Sequence, residues 1–269
     1  MKVKKVAYTL GIFVLLIFLA ECFSPKGVFG TQSKVSSNDT IKSIERPRSL
    51  LTEHEQVFCR KGYMVSYNAD LKVPNWVAWK LTPERLVERC SRTNRFLPDP
   101  DLDDPVTTDD YKRAHFDRGH MCPAGDNRWN KKAMAESFYM TNICPQNHNL
   151  NRGDWKELEE ACRSWARQEG SIYVVCGPIF YKKGYRSIGK RHVAVPDAFF
   201  KVIASLNGRS KAIGFIYKNE SGNHPMFSYA CSVDEVEQKT QLDFFPELPD
   251  EVEHRIESTY DAKAWKLSL

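Results

Sequence analysis

The chain has 269 residues, 42% hydrophobic and 12% aromatic, which is enough to build a core and excludes global disorder. Its length fits one large domain or two small ones. A formal net charge of +5 and a pI near 8.7 suit a polyanionic partner but fall short of the strongly basic footprint of a stoichiometric nucleic-acid binder, so charge alone assigns no function.

Lys2, Lys4 and Lys5 precede an uncharged run from Val6 to Ala20. Basic residues before a run of that length predict a secretory signal rather than a spanning helix, which needs about 20 apolar residues. The expectation for residues 1–30 is therefore export, secreted or periplasmic. A lipid-modified Cys22 and an uncleaved membrane anchor are the alternatives, although Glu21 is a poor neighbour for a lipidated cysteine. An oxidising compartment would lead some of the eight cysteines to pair. None has Cys-x-x-Cys spacing, which leaves zinc-knuckle and thioredoxin-like chemistry unsupported. Cys162 and Cys176 read as small core residues.

Residues 31–52 are rich in Ser, Thr, Asn and Lys and predict a flexible tether before a domain over 53–269. Tyr63–Tyr67 and Trp76–Leu81 carry the aromatic and branched residues of two strands, joined through Asn68-Ala69-Asp70 and Pro74 as an antiparallel pair. Six aspartates lie between Leu97 and Asp110. Their start mimics a calcium loop, but Asp104 stands where that loop needs glycine and Pro100 and Pro105 stiffen it, so a solvated acidic loop is expected.

The next stretch, Phe116-Asp117-Arg118-Gly119-His120, sets an imidazole beside a guanidinium. After a Gly/Pro/Asn-rich loop, a helix is predicted over Asn130–Met140, with Met134 and Phe138 facing the core. Thr141–Gln146 is extended or turning. A second helix is predicted over Gly153–Glu169 from the stripe Trp155, Leu158, Cys162, Trp165 and Ala166. Strands are expected over Ser171–Phe180, Val193–Ile203 and Lys211–Lys218. Ser232 followed by acids opens a helix that Asp243–Pro246 closes against the core. With no repeat and no dividing linker, the simplest account is α+β: a single mixed domain with a central antiparallel sheet flanked by helices.

Phosphodiester hydrolysis needs a group that deprotonates water and charge that stabilises the phosphorane-like transition state. His120 is the candidate base, since imidazole titrates near neutrality, and His115 reads as a surface residue. Asn151, just before the predicted second helix, is either a cap or an oxygen ligand for magnesium, which keeps several waters and needs few protein ligands. Glu159 sits at the edge of the apolar stripe, where a carboxylate needs a partner, and Arg163 one turn on can pair with it. Its functional reading is a carboxylate that holds metal-bound water.

Asp117-Arg118-Gly119-His120, Thr141-Asn142-Ile143-Cys144-Pro145-Gln146 and Asn151-Arg152-Gly153-Asp154-Trp155 together resemble the sugar-non-specific DNA/RNA endonucleases of the ββα-metal class. That family has secreted bacterial and mitochondrial members, and the resemblance spans roughly residues 53–248. It implies His120 as general base, Asn151 as the direct protein ligand of Mg2+ or Mn2+, and Glu159 on metal-coordinated water. It further implies that Arg95, Arg118 and Arg163 meet phosphate, while Asp117, Asn142 and Gln146 support the site. The substrates would be DNA and RNA held through backbone phosphates, cut with little base preference to leave 5′-phosphates. A homodimer is left open and no obligate protein partner is implied. Arg152 departs from the smaller uncharged residue common at its place. The alternative function is a catalytically inactive nucleic-acid or polyanion binder on the same fold.

Overall fold

The computed structural model describes residues 43–50, 55–181 and 184–267, all within one compact unit, Lys42–Leu269. The leader, residues 1–30, lies outside the described residues. Seven strands form one antiparallel sheet in the order β12-β11-β10-β7-β4-β3-β2. They are β2 (Gln56–Cys59), β3 (Met64–Asn68), β4 (Val73–Leu81), β7 (Ile172–Ile179), β10 (Ala198–Ser205), β11 (Lys211–Lys218) and β12 (Ala230–Cys231). Three strand pairs stand apart from it: β1 (Arg48–Ser49) with β13 (Leu242–Asp243), β5 (Asp117–His120) with β6 (Ile143–Gln146), and β8 (Ser187–Ile188) with β9 (Val193–Ala194). The helices are α1 (Lys131–Glu136), α2 (His148–Arg152), α3 (Asp154–Glu169), α4 (Val233–Thr240) and α5 (Asp250–Glu257).

The two-residue period of a strand explains how both sheet faces are filled. Val77 and Trp79 of β4 point to one core with Val174, Phe199 and Phe215, while Trp76 and Ala78 point to the other with Val175, Phe200 and Val202. The first core is closed by the α3 stripe of Trp155, Leu158, Cys162 and Trp165. The second is closed by Val233 and Val236 of α4, Phe244, Phe245 and Ile256 of α5. Each large side chain buried this way contributes about 1.5–3 kcal/mol. Because helices cover both faces, β10 is buried along its whole length and reads as a continuous apolar run broken by Lys201. α3 ends at Gly170, whose φ of 78° is the left-handed conformation that glycine adopts most easily.

Several expectations are corrected by contacts distant in sequence. The tether does not cover residues 44–49, since Arg48–Ser49 pairs with Leu242–Asp243 and Ile44 packs on the second core; residues 31–42, 51 and 52 lie outside the described residues. The helix expected to reach Met140 stops at Glu136, because Leu97 exchanges backbone hydrogen bonds with Phe138 and Met140 and draws them out of the helix. Val193–Ile203 is two strands, not one. The acidic loop is not simply solvated. Asp99 is fully buried, its two oxygens accepting from Arg60 Nη2 (2.6 and 2.7 Å) and one of them from the Thr141 hydroxyl, and Asp110 is buried against Arg191. The expected disulfides are absent among the described residues, where Cys59, Cys90, Cys122, Cys144, Cys162, Cys176 and Cys231 are all thiols.

Candidate active site

The site is assembled from the β5–β6 pair and the two helices that follow it. In β5, alternation sends Arg118 and His120 to the same side. Gly119 between them is in ordinary strand conformation, so its value is not a turn: a β-carbon there would stand 2.2 Å from Gln146 Oε1 on β6. Gln146 is thus buried beneath the strand and does not itself line the cavity. Asn142 is likewise a buried clamp. Its Oδ1 accepts from the Cys122 amide (2.8 Å), and its Nδ2 donates to the Cys122 and Ser137 carbonyls (2.9 and 2.8 Å).

His120 is 8% exposed and leans on Phe138 and Phe96, with ring centroids 4.8 and 5.3 Å away. Trp155 Nε1 donates to its carbonyl at 3.3 Å. Its ring makes no hydrogen bond among the described residues, and Nε2 is shut away from solvent. Burial first, then the Arg92 and Arg118 charges, push its pKa down to about 3, so the imidazole is neutral near pH 7.

Asn151 is not a helix cap. That role belongs to Asn147, whose Oδ1 accepts from the Asn149 and Leu150 amides, and Asn151 falls in the last turn of α2. Its Nδ2 donates to Asp117 Oδ2 at 2.8 Å, which fixes the amide orientation and leaves Oδ1 as a free acceptor. Asp117 also meets His148 Nδ1 at 3.1 Å and Arg152 at 3.9 Å. Burial raises the Asp117 pKa, but the Asn151 and His148 bonds and the Arg152 charge outweigh it and leave the group below its ordinary value. Asp117 is therefore an ionised carboxylate that aims the carboxamide.

Glu159, one turn after Trp155 on α3, is half-buried at the wall of the cavity. Desolvation lifts its pKa to about 7 against the opposing charges of Lys201, Arg163 and Arg92. The expected Glu159–Arg163 salt bridge does not form. Arg163 instead binds Asp126 at 3.0 Å, and Asp126, 1% exposed, also accepts from Trp79 Nε1 at 3.1 Å. Glu159 has no ion pair within 4 Å among the described residues and keeps both oxygens available.

His120, Asn151, Asp117, Glu159, Arg118 and Arg163 all line one open cavity of about 700 Å³. Arg95 does not. Asn94, at φ 52°, turns the chain between two arginines, and Arg92 is the one that lies over Phe138 (5.1 Å) and lines the cavity. Arg118 lies over Phe96 at 4.3 Å. Sequence reasoning missed Arg92, Asp126 and Lys201. Lys201 is fully buried, its Nζ 4.1 Å from the Trp155 ring centroid and 5.8 Å from that of Trp79, with no hydrogen bond among the described residues. A lone charge inside the run Phe199-Phe200-Lys201-Val202-Ile203 was the signal available for it. A carboxamide oxygen and a carboxylate on one cavity wall, neither paired among the described residues, are a donor set that fits a hard divalent cation with its waters.

Two antiparallel strands followed by a helix, with histidine on the first strand and asparagine on the helix, define a ββα-metal nuclease fold. The chain belongs to the DNA/RNA non-specific endonuclease family, whose model matches residues 42–251. Zebrafish (Danio rerio) mitochondrial nuclease EXOG is 36% identical over 205 residues, covering 70% of this chain and 60% of that protein. Human mitochondrial endonuclease G is 32% identical over 212 residues, covering 72% and 70%. Nuclease C1 of Cunninghamella echinulata is 35% identical over 210 residues, covering 70% and 82%. A crystal structure of an EndoG/EndoGI complex superposes with a TM-score of 0.68 at 29% identity, covering 72% of this chain and 86% of that one. The chain spans 57–60% of the length of the EXOG relatives from zebrafish, human and Xenopus laevis. The expectation of export is corrected here: the relatives EXOG, endonuclease G and the fission-yeast Nuclease 1 are mitochondrial nucleases, not secreted ones.

Proposed function

We propose that this chain is a divalent-metal-dependent endonuclease that hydrolyses phosphodiester bonds of both DNA and RNA and leaves 5′-phosphates. The observation that carries this reading is the convergence of a neutral, unpaired imidazole and a free carboxamide oxygen on one arginine-rimmed cavity. When bound at Asn151, Mg2+ or Mn2+ would neutralise charge building on the phosphate oxygens. The ring nitrogen of His120 that faces the cavity takes the proton from the attacking water. Glu159, as carboxylate, orients water beside the cation. Arg92, Arg118 and Arg163 meet the phosphate, which suits recognition by backbone rather than by sequence.

The test is degradation of plasmid and of structured RNA with and without Mg2+, by the wild type and by His120→Ala and Asn151→Ala. Both polymers should be cut only with divalent metal, their ends should carry 5′-phosphate, and each variant should be nearly inactive. Activity surviving in EDTA, or unchanged in His120→Ala, would overturn the assignment. Raising ionic strength should weaken substrate binding steeply, with a slope in log salt of about 0.7–0.9 per phosphate contacted.

A further inference from the structure

Away from the cavity, α4 and α5 pack against the second core and meet at a corner made almost entirely of acids. Asp234 and Glu237 stand one turn apart on α4, and Glu257 closes α5. Each offers a carboxylate oxygen, and the three oxygens lie within 4.8 Å of one another. None of the three residues lines the cavity.

Acidic clusters are common on protein surfaces, and clustering by itself carries little weight. This one differs in how Glu257 is placed. The residue is 5% exposed, and its Oε1 is sealed from solvent with no hydrogen-bond donor. Burying such an oxygen without a partner costs about 1–3 kcal/mol or more, so native structures rarely leave one. Its neighbours supply no compensation. Glu237 already commits one oxygen to the Phe244 amide at 2.8 Å. Among the described residues no lysine, arginine or histidine forms an ion pair with Asp234, Glu237 or Glu257. The nearby cations are engaged elsewhere: Arg48 with Asp243 at 3.1 Å, and Lys239 with Glu235 at 3.8 Å. A recess of three carboxyl groups that lacks a positive charge is what a cation would complete, displacing their protons as it binds.

Coordination chemistry favours calcium over magnesium here, because magnesium demands a near-ideal octahedron and sheds its waters reluctantly. Calcium–oxygen bonds run about 2.3–2.6 Å, so ligands on one Ca2+ stand up to about 4.6–5.2 Å apart, whereas magnesium at about 2.0–2.1 Å allows only about 4.2 Å. Oxygens that all lie within 4.8 Å of one another fall inside the span that one calcium ion bridges. We propose that Asp234, Glu237 and Glu257 bind a structural Ca2+, completed by water, that fastens α5 to α4. This site is separate from the proposed catalytic one and stands whether or not that reading holds.

The experiment uses the full chain carrying Asn151→Ala, which silences the cavity as a metal site, stripped with chelator and then freed of it. Its melting temperature should rise by several degrees with about 1 mM Ca2+ and respond less to equal Mg2+. Elemental analysis after removal of loose ions should find one calcium per chain. Adding Glu257→Gln, which keeps the shape, or Asp234→Asn on the outer side should abolish both the rise and the bound calcium. In the wild-type background, Glu257→Gln should leave Mg2+-supported cleavage unchanged. A melting temperature indifferent to about 10 mM Ca2+, or a rise that persists in Glu257→Gln, would refute the site. Carboxyls that merely share protons would instead give a protein stabilised by acid and untouched by calcium, which also refutes it.

Discussion

The cavity and the α4–α5 corner both bury carboxylates, and they handle the charge in opposite ways. At the cavity every acid has a partner or an opposing charge: Asp117 has Asn151, His148 and Arg152, Asp126 has Arg163 and Trp79, and Glu159 has Lys201 beneath it. At the corner Glu257 is surrounded by Glu237, Glu253, Asp234 and Asp243. Desolvation is the first cause of the upward shift in both places, yet Glu159 reaches about 7 and Glu257 about 9. Burial sets the direction, and the sign of the neighbours sets how far it goes. An acid poised near neutrality is useful for chemistry at pH 7, whereas one held protonated is suited to waiting for a ligand.

The sharpest way to break this contrast is to delete the chemistry from one region alone. His120→Ala should lower kcat by about 10²–10⁴-fold, the range for loss of a general base, while Glu257→Gln leaves it unchanged. Measured cleavage rates at saturating metal decide between them.

The next effect concerns pH. A carboxyl whose folded pKa is about 7 is neutral below that value and ionised above it, so Glu159 becomes competent only as pH rises through about 7. His120, held at about 3, stays neutral over that range and adds no inflection there. The cation-limited activity profile should therefore climb through about pH 7, and Glu159→Gln should be slow and lack that step. Higher Mg2+ favours the ionised carboxylate and should move the step toward acid. Lys201→Met removes the largest opposing charge and should move it toward alkali, even though residue 201 never reaches the solvent. A profile indifferent to Lys201→Met would show that the lysine serves packing only.

Smaller again is the loss of an aiming group. Asp117→Ala frees the Asn151 amide to rotate and should weaken metal affinity by about 10–100-fold, largely recovered at high Mg2+. The smallest and most pointed comparison sets two arginines three residues apart. Arg92→Ala should raise KM and slow cleavage, whereas Arg95→Ala, outside the cavity, should be near wild type. Equal losses in both would return the phosphate role to residue 95.

Where local pattern and tertiary demand agreed, the fold was legible from the residues. The stripe of α3 and the strand Lys211–Lys218 have the expected bounds to within a residue, because both are decided by periodicity within the segment itself. That His120 and Asn151 would face one cavity was legible because their motifs are local. The pairing of Arg163 with Asp126 rather than Glu159 was not, since Asp126 lies 37 residues away and helical spacing alone favours the i,i+4 partner. The same holds for Arg60 with Asp99: an acidic stretch looks solvated until the distant cation that buries part of it is known. α5 escaped notice, and its short polar sequence makes sense only against α4.

Gly119 carries one more consequence. With an amide pressed against its underside, residue 119 admits no substituent, and even alanine would pry the first strand of the pair off the second. Since Arg118 and His120 flank that point, the lever would tilt guanidinium and imidazole together. A single methyl group, touching neither metal nor nucleic acid, should thus disarm proton removal and phosphate capture at once while the rest of the molecule stays folded.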